Sequence, residues 1–235
     1  MTSAPKNHSS SPDEAPSGGS GTLVIGILGG IASGKSAAGT LLAGPDGLLL
    51  SADSIAHGIL VTPEVTALVL ERFGPGALDA NGKPDRTALA KRVFDPHEGP
   101  EHRRALEGWI HPRVCETIWS RLRAARAAGV PRVVLDVPLL LENDHKHGWV
   151  DACDHLVFVD APQGERQRRT LDRGWDRDEL GRREAAQLPL AEKRARADFV
   201  LPNHGDLPAL GEHVQQLLST ITNNTGSGPR DAEER

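Results

Sequence analysis

The chain has 235 residues, 38% of them hydrophobic, and a formal net charge of −5 at pH 7. This length suffices for one sizeable α/β domain, while the acidic balance and the scarcity of aromatic residues (four Trp, four Phe, no Tyr) argue against a nucleic-acid partner. The sequence contains no apolar run of the ~20 residues that a membrane-spanning helix needs and no secretory signal, and its two cysteines, Cys115 and Cys153, form no C-x-x-C pair. We therefore expect no membrane partner and a cytoplasmic location.

The chain divides by composition into two tails and a central domain. Residues 1–21 are rich in Ser, Pro and Gly and predict a disordered leader, and residues 222–235 predict a disordered tail. Between them, apolar runs alternate with helical patterns. Strands are predicted at residues 23–28, 48–50, 133–137, 156–159 and 199–201. Residues 22–221 are thus predicted to form a three-layer, doubly wound parallel α/β sheet, with ligands at the carboxyl ends of its strands.

A phosphate-binding motif follows the first strand. The segment fits G-x-x-x-x-G-K-[ST], and a predicted helix over residues 35–42 leaves it, so the fold class is that of the P-loop NTPases. Backbone N–H groups and the helix N-terminus would bind phosphates, Lys35 would reach the β- and γ-phosphates, and Ser36 would hold Mg²⁺. The predicted nucleotide-binding residues are Gly29, Gly30, Ile31, Ala32, Ser33, Gly34, Lys35 and Ser36.

Two carboxylates follow later predicted strands. Asp53 comes just after the apolar run 48–50, where it either accepts a proton from an acceptor hydroxyl or caps the next helix. Asp136 ends the run Val133-Val134-Leu135, as in a Walker B strand, and would help to bind Mg²⁺. Glu142 follows closely and either serves the acceptor site or caps a local turn.

The gap between the second and third strands is too long for one crossover helix. It predicts a helical insertion over about 60–130, with helices at residues 64–73, 87–94 and 101–128 and a turn at 79–85. His111-Pro112 is either a structural joint or a ligand contact, and the sequence favours the joint.

Arginines are concentrated after the fourth strand, over about 164–188. They form either a solvated helix face or a lid that closes over the phosphates, and the P-loop favours the lid. The cluster consists of Arg166, Arg168, Arg169, Arg173, Arg177, Arg182 and Arg183.

Together these motifs resemble the dephospho-CoA kinase family, in order and spacing, from Leu23 to about Leu218. The landmarks are the loop 29–36, Ala52-Asp53, Phe73-Gly74, Asp85-Arg86, Val93-Phe94, Leu106-Glu107 with His111-Pro112, the segment 136–142, Arg169, Arg173, Arg183 with Gln187, Glu192-Lys193, Ala197-Asp198 and Asn203.

The resemblance implies ATP- and Mg²⁺-dependent phosphorylation of the ribose 3′-hydroxyl of dephospho-CoA, the last step of coenzyme A synthesis. It implies catalytic roles for Asp53, as the base, Lys35 and Arg169, and a metal site at Ser36 and Asp136. It adds Arg173 and Asn203 to the ATP-binding residues, with Asn203 near the adenine. The acceptor-binding residues that it implies are His111, Pro138, Leu139, Glu142 and Arg183. We expect a monomer or a weak homo-oligomer.

Three positions depart from the family pattern. Ser51 replaces the first Asp of an Asp-Ala-Asp element, and His57 stands where the family often has Arg. Glu184 replaces a commonly apolar lid residue, which predicts a more exposed lid helix.

Two other functions remain open from the sequence. Another small-molecule P-loop kinase would share the loop, lid and carboxylate, but the landmarks of the insertion and the segment 136–142 favour dephospho-CoA. A GTPase would need N-K-x-D, and Asn203-His204-Gly205-Asp206 lacks the lysine.

Overall fold

The computed structural model describes residues 21–224. Residues 1–20 of the predicted leader and 225–235 of the predicted tail lie outside the described residues. Five parallel strands form one sheet in the order β2-β3-β1-β4-β5, which confirms the predicted fold class. The strands are β1 Leu23–Gly29, β2 Leu48–Ser51, β3 Arg132–Asp136, β4 His155–Asp160 and β5 Phe199–Pro202.

Helices connect the strands and extend the fold beyond the sheet. They are α1 Lys35–Ala43, α2 Ala52–Leu60, α3 Pro63–Phe73, a 3₁₀ turn at Pro75–Ala77, α4 Arg86–Val93, α5 Gly99–Ala127, α6 Asp144–His147, α7 Gln163–Leu171, α8 Glu179–Glu184, α9 Leu190–Ala195 and α10 Leu207–Asn224. The last helix continues past residue 221, so the first residues of the predicted tail are helical. Among residues 21–224, no single helix has the length and apolarity to cross a membrane; α2 and α3 meet that test only as a pair bent by 70°.

Strand alternation builds the three layers. Val24 and Leu28 of β1 face a core that includes residues of α2 and α5, whereas Ile25 and Ile27 face residues of α1 and α10. All four side chains are buried, and full burial of such a side chain contributes about 1.5–3 kcal/mol. The sheet is therefore covered on both faces, and its strand ends are the accessible edge.

The predicted helical insertion has a small core of its own, formed by residues of α2, α3, α4 and the 3₁₀ turn. Helix α5 links this core to the main one. Before Pro112, Trp109 packs against the insertion, and after it Val114 and Ile118 enter the sheet core. Pro112 lies inside the helix, where its missing N–H removes one helical hydrogen bond. This position supports the interpretation of His111-Pro112 as a joint.

Candidate active site

The phosphate-binding loop joins β1 to α1, and side chains from distant parts of the chain bind its backbone. Gly34 has φ +91° and begins α1 without a side-chain cap, which leaves the first helical N–H groups free for an anion. The Asn203 amide Nδ2 donates to the Ser33 carbonyl at 2.7 Å, and Arg169 Nη1 donates to the Ala32 carbonyl at 3.2 Å. A Cβ at Gly34 would overlap the Asn203 amide, so only glycine fits. In this structure Asn203 therefore supports the loop.

Lys35 points back into the loop. Its Nζ donates to the carbonyls of Gly29 at 3.1 Å and Gly30 at 2.8 Å. Burial lowers the pKa of Lys35, and the charge of Lys193 lowers it further, while Asp136 opposes both effects. The ammonium group thus lies inside the phosphate-binding loop.

Ser36 and Asp136 meet beside the loop. The Ser36 hydroxyl donates to Asp136 Oδ2 at 3.0 Å, and Asp136 is only 7% exposed at the end of β3. Burial raises the pKa of Asp136 and the Asp53 charge adds to the rise, against the Ser36 hydrogen bond and Lys35. A hydroxyl and a carboxylate are the hard oxygen donors that Mg²⁺ prefers, so these residues fit a magnesium site.

Asp53 is exposed in the first turn of α2, facing the cleft. The helix cap is Ser51, whose Oγ accepts from the Ser54 N–H at 3.3 Å. The alternative that Asp53 serves as this cap is therefore wrong. Ser51, which replaces an Asp of the family pattern, therefore supplies the helix cap, and the Asp53 carboxylate faces the cleft.

The cleft has a volume of about 370 Å³ and collects most of the predicted residues. Its walls contain the loop from Gly29 to Ser36 except Gly30, together with Asp53, Asp136, Pro138, Leu139, Glu142, Arg173, Gln187 and Lys193. His111 is exposed on α5 and is not among these lining residues. The structure therefore brings most of the predicted nucleotide and acceptor groups together, whereas Gly30, His111, Arg169, Arg183 and Asn203 are not among the lining residues.

The arginine cluster divides between the two proposed roles. Arg169 contacts the phosphate-binding loop, and Arg173 lines the cleft. Arg183 is outside the cleft: its Nε donates to Glu179 Oε1 at 2.6 Å, and its guanidinium lies 4.2 Å from the centroid of the Trp175 ring. Part of the segment thus lies at the phosphate-binding loop and the cleft, and part is an exposed helix face.

Glu142 lines the cleft, but other groups already bind its carboxylate. Its Oε1 accepts from the Leu188 N–H at 3.1 Å and pairs with Lys193 Nζ at 2.7 Å. Burial raises the pKa of Glu142, but these hydrogen bonds and the Lys193 charge outweigh it and lower the pKa overall. These contacts join the segment after β3 to Leu188 and to α9. In this structure Glu142 therefore organises one wall of the cleft.

Sequence reasoning missed Lys193 as a site residue. Its side chain is 5% exposed, and Nζ also donates to Gln187 Oε1 at 2.9 Å. The only available signal was the landmark Glu192-Lys193, which did not reveal that the lysine reaches the cleft. The expectation from Glu184 was an exposed helix: Gly181, Arg182 and Arg183 of α8 are exposed, but the Glu184 side chain is only 22% exposed, because it pairs with Arg166 and faces the phosphate-binding loop.

The fold and the cleft define a class of protein. A glycine-rich phosphate-binding loop on a parallel sheet, a hydroxyl and a carboxylate that fit Mg²⁺, a cleft carboxylate that takes no part in helix capping, and arginines at the loop and the cleft together indicate a P-loop kinase of small molecules.

Comparison with known proteins specifies the family. A family model for dephospho-CoA kinase matches residues 23–209. Dephospho-CoA kinase of Symbiobacterium thermophilum is 38% identical over 210 residues, covering 88% of this chain and 84% of that protein. The enzyme of Geobacillus kaustophilus is 38% identical over 203 residues, covering 85% and 96%. The chain belongs to the dephospho-CoA kinase family, the kinases of the final step of coenzyme A biosynthesis.

Solved structures agree with this fold. A crystal structure of a Thermus thermophilus protein matches with a TM-score of 0.63 and 36% identity, over 86% of this chain and 97% of that one. Dephospho-CoA kinase from Campylobacter jejuni matches in fold with a TM-score of 0.62 at 21% identity, over 86% of this chain and 98% of that one.

Proposed function

We propose that Asp53 is the base that orients the ribose 3′-hydroxyl of dephospho-CoA for attack on the γ-phosphoryl group of ATP. The observation that carries the proposal is the position of Asp53 in one cleft with Lys35 and Asp136, with the capping role taken by Ser51. The proton leaves the hydroxyl for the Asp53 carboxylate as the new O–P bond forms, and ADP is the leaving group.

The nucleotide end of the cleft supplies the positive charge. Backbone N–H groups of the loop and Lys35 bind the triphosphate, and Arg169 and Arg173 add charge as the phosphoryl oxygens become more negative. Ser36 and Asp136 would hold Mg²⁺, which neutralises phosphate charge when it is bound. Asn203 holds the loop in shape by donating a hydrogen bond to the Ser33 carbonyl.

The acceptor enters beside Pro138 and Leu139, which line the same cleft as Asp53. Glu142 and Lys193 fix this wall to α9. His111 and Arg183 would reach an acceptor only if the insertion and the lid rearranged on binding, as such elements commonly do in kinases. We further propose that the protein acts in the cytoplasm as a monomer or a weak homo-oligomer.

The proposal is tested by ADP release with ATP and Mg²⁺ in the presence of dephospho-CoA, AMP, UMP or shikimate. We expect turnover with dephospho-CoA alone, and no turnover with its 3′-deoxy analogue. Robust turnover with one of the other three acceptors would overturn the assignment of the substrate. Phosphorylation of the 3′-deoxy analogue would overturn the assignment of the hydroxyl.

A further inference from the structure

A buried ion pair of the lid contacts the phosphate-binding loop and has no role in the mechanism above. Arg166 lies on α7 and Glu184 ends α8, and the guanidinium Nη1 pairs with Glu184 Oε1. The Arg166 side chain is 6% exposed. The Glu184 side chain is 22% exposed. Burying an arginine is expensive in free energy, so this location indicates a purpose beyond surface solvation.

The pair touches the loop at its first turn. The Ile31 N–H donates to Glu184 Oε1 at 3.2 Å, so a backbone donor of the phosphate-binding loop is occupied by a carboxylate. A Cβ placed on Gly30 would lie 2.9 Å from Arg166 Nη1 and 3.0 Å from Glu184 Oε1. Both charged groups therefore lie against the loop backbone, where a side chain would exclude them.

Arg166 also has hydrogen-bonding capacity left over. A guanidinium carries five N–H donors in a planar fork that suits phosphate, and within residues 21–224 the buried Nε of Arg166 has no acceptor. An arginine of this kind is incompletely satisfied by one carboxylate oxygen. An anion with more oxygens would satisfy it better.

The negative charge of Glu184 would compete with nucleotide phosphates for the same donors. The loop attracts anions, and the Glu184 carboxylate is an anion that contacts it directly. The same carboxylate would repel an incoming phosphate that sought the Ile31 N–H and the Arg166 guanidinium.

We propose that Arg166 is a further ligand of the nucleotide phosphates, and that Glu184 occupies this anion-binding position until the nucleotide displaces it. The inference rests on the proposed function, because it assigns the nucleoside triphosphate to the same loop. Glu184 is then a positioning residue: it holds Arg166 in place but competes with the ligand. Removing only its charge strengthens nucleotide binding, whereas removing Arg166 weakens it.

The test is calorimetric binding of ATP with Mg²⁺ and without acceptor. In Glu184→Gln the amide still accepts from Arg166 and Ile31, and we expect the Kd for ATP to fall about 3- to 10-fold, the range of one exchanged hydrogen bond. Glu179→Gln is the matched control, since Glu179 lies on the same helix and pairs with Arg182 and Arg183 at the surface. Its Kd should stay within about twofold of wild type.

Arg166→Gln should raise the Kd for ATP by about 10-fold or more, as expected for a lost charge-assisted hydrogen bond. Arg168→Gln on the same helix is its control, because Arg168 pairs with Glu165 and Asp172 in solvent. Thermal melting of each variant shows whether it is folded, and the Glu184 result stands even if Arg166→Gln unfolds.

The outcomes separate the two proposals. An unchanged or raised Kd in Glu184→Gln would overturn the inference, since a carboxylate that only orients Arg166 would help nucleotide binding. A folded Arg166→Gln variant with the affinity of Arg168→Gln would overturn it as well. If wild-type protein binds no ATP, the proposed function itself fails.

Discussion

The substitution Asp53→Asn tests whether catalysis and helix capping are separate at the start of α2. Asparagine keeps the size and polarity of the side chain but cannot accept the acceptor's proton. A positioned base contributes about 10²–10⁴-fold, equivalent to roughly 2.7–5.4 kcal/mol of activation free energy. We therefore expect kcat for dephospho-CoA phosphorylation to fall by this factor.

The structure also fixes what Asp53→Asn leaves unchanged. Asp53 is exposed, and the cap hydrogen bond comes from Ser51, so the free energy of unfolding should change by less than about 0.5 kcal/mol. The Kd for ATP, measured by calorimetry without acceptor, should stay within about threefold because Asp53 belongs to the acceptor side.

Ser51→Ala is the matched control, two residues away. Its cap hydrogen bond is 3.3 Å long and exposed, so its loss should cost about 0.5–1 kcal/mol, at the lower end for helix caps. That cost corresponds to a fall in melting temperature of about 1–4 °C, with kcat near that of wild type. Asp53→Asn should thus lose activity and keep its stability, whereas Ser51→Ala should lose stability and keep its activity.

Two results would refute this reasoning. Turnover of Asp53→Asn within about twofold of wild type would remove Asp53 from the role of base. Loss of folding in Asp53→Asn together with normal stability of Ser51→Ala would return the capping role to Asp53.

Three further predictions concern the phosphate-binding loop, Asp136 and the Glu142–Lys193 ion pair. Gly34→Ala should abolish measurable ATP binding in calorimetry, because it forces a Cβ onto a residue with φ +91° and against the Asn203 amide. The control is Gly211→Ala in α10, where a Cβ meets nothing within 4 Å, and this variant should bind ATP normally. ATP binding by Gly34→Ala would contradict the steric argument. Asp136→Asn should raise the melting temperature at pH 7 in metal-free buffer while lowering activity. Burial raises the pKa of Asp136 in the folded state, so the wild type loses stability as pH rises from the ordinary carboxyl pKa through the raised value. Below that pH range the stability advantage of Asp136→Asn should vanish. A constant advantage at all pH values would show that the raised pKa of Asp136 is not its cause. Lys193→Met should lower the free energy of unfolding by about 3 kcal/mol, a fall of roughly 6–12 °C in melting temperature, because it leaves the Glu142 carboxylate without its ion-pair partner. Adding Glu142→Gln should recover part of this loss. No recovery in the double variant would show that the ion pair is not the cause.

Local patterns were sufficient for the sheet and the phosphate-binding loop. Each strand core was visible as a short apolar run, because a strand buried on both faces needs apolar residues throughout. The phosphate-binding loop 29–36 was recognisable in the sequence because its glycines and Lys35-Ser36 lie within eight consecutive residues. The five predicted strands agree with the observed ones to within a residue or two at their ends.

Roles that depend on distant partners were beyond the sequence. Asp53 was equally a cap or a base until the structure placed the Ser51 hydroxyl on the Ser54 N–H. Glu142 gave no sign of its partner Lys193, and Glu184 gave none of its contact with Ile31, because each pair is separated by a large part of the chain.

The sequence by itself determined the order of the strands along the chain, the phosphate-binding loop and the kinase chemistry that it serves, because those properties reside in contiguous residues. Only the tertiary structure decided which carboxylate faces the cleft, which arginines reach the loop and which charge occupies it. Those outcomes depend on which groups the packed sheet and lid bring within hydrogen-bonding distance, and packing joins residues that the sequence separates.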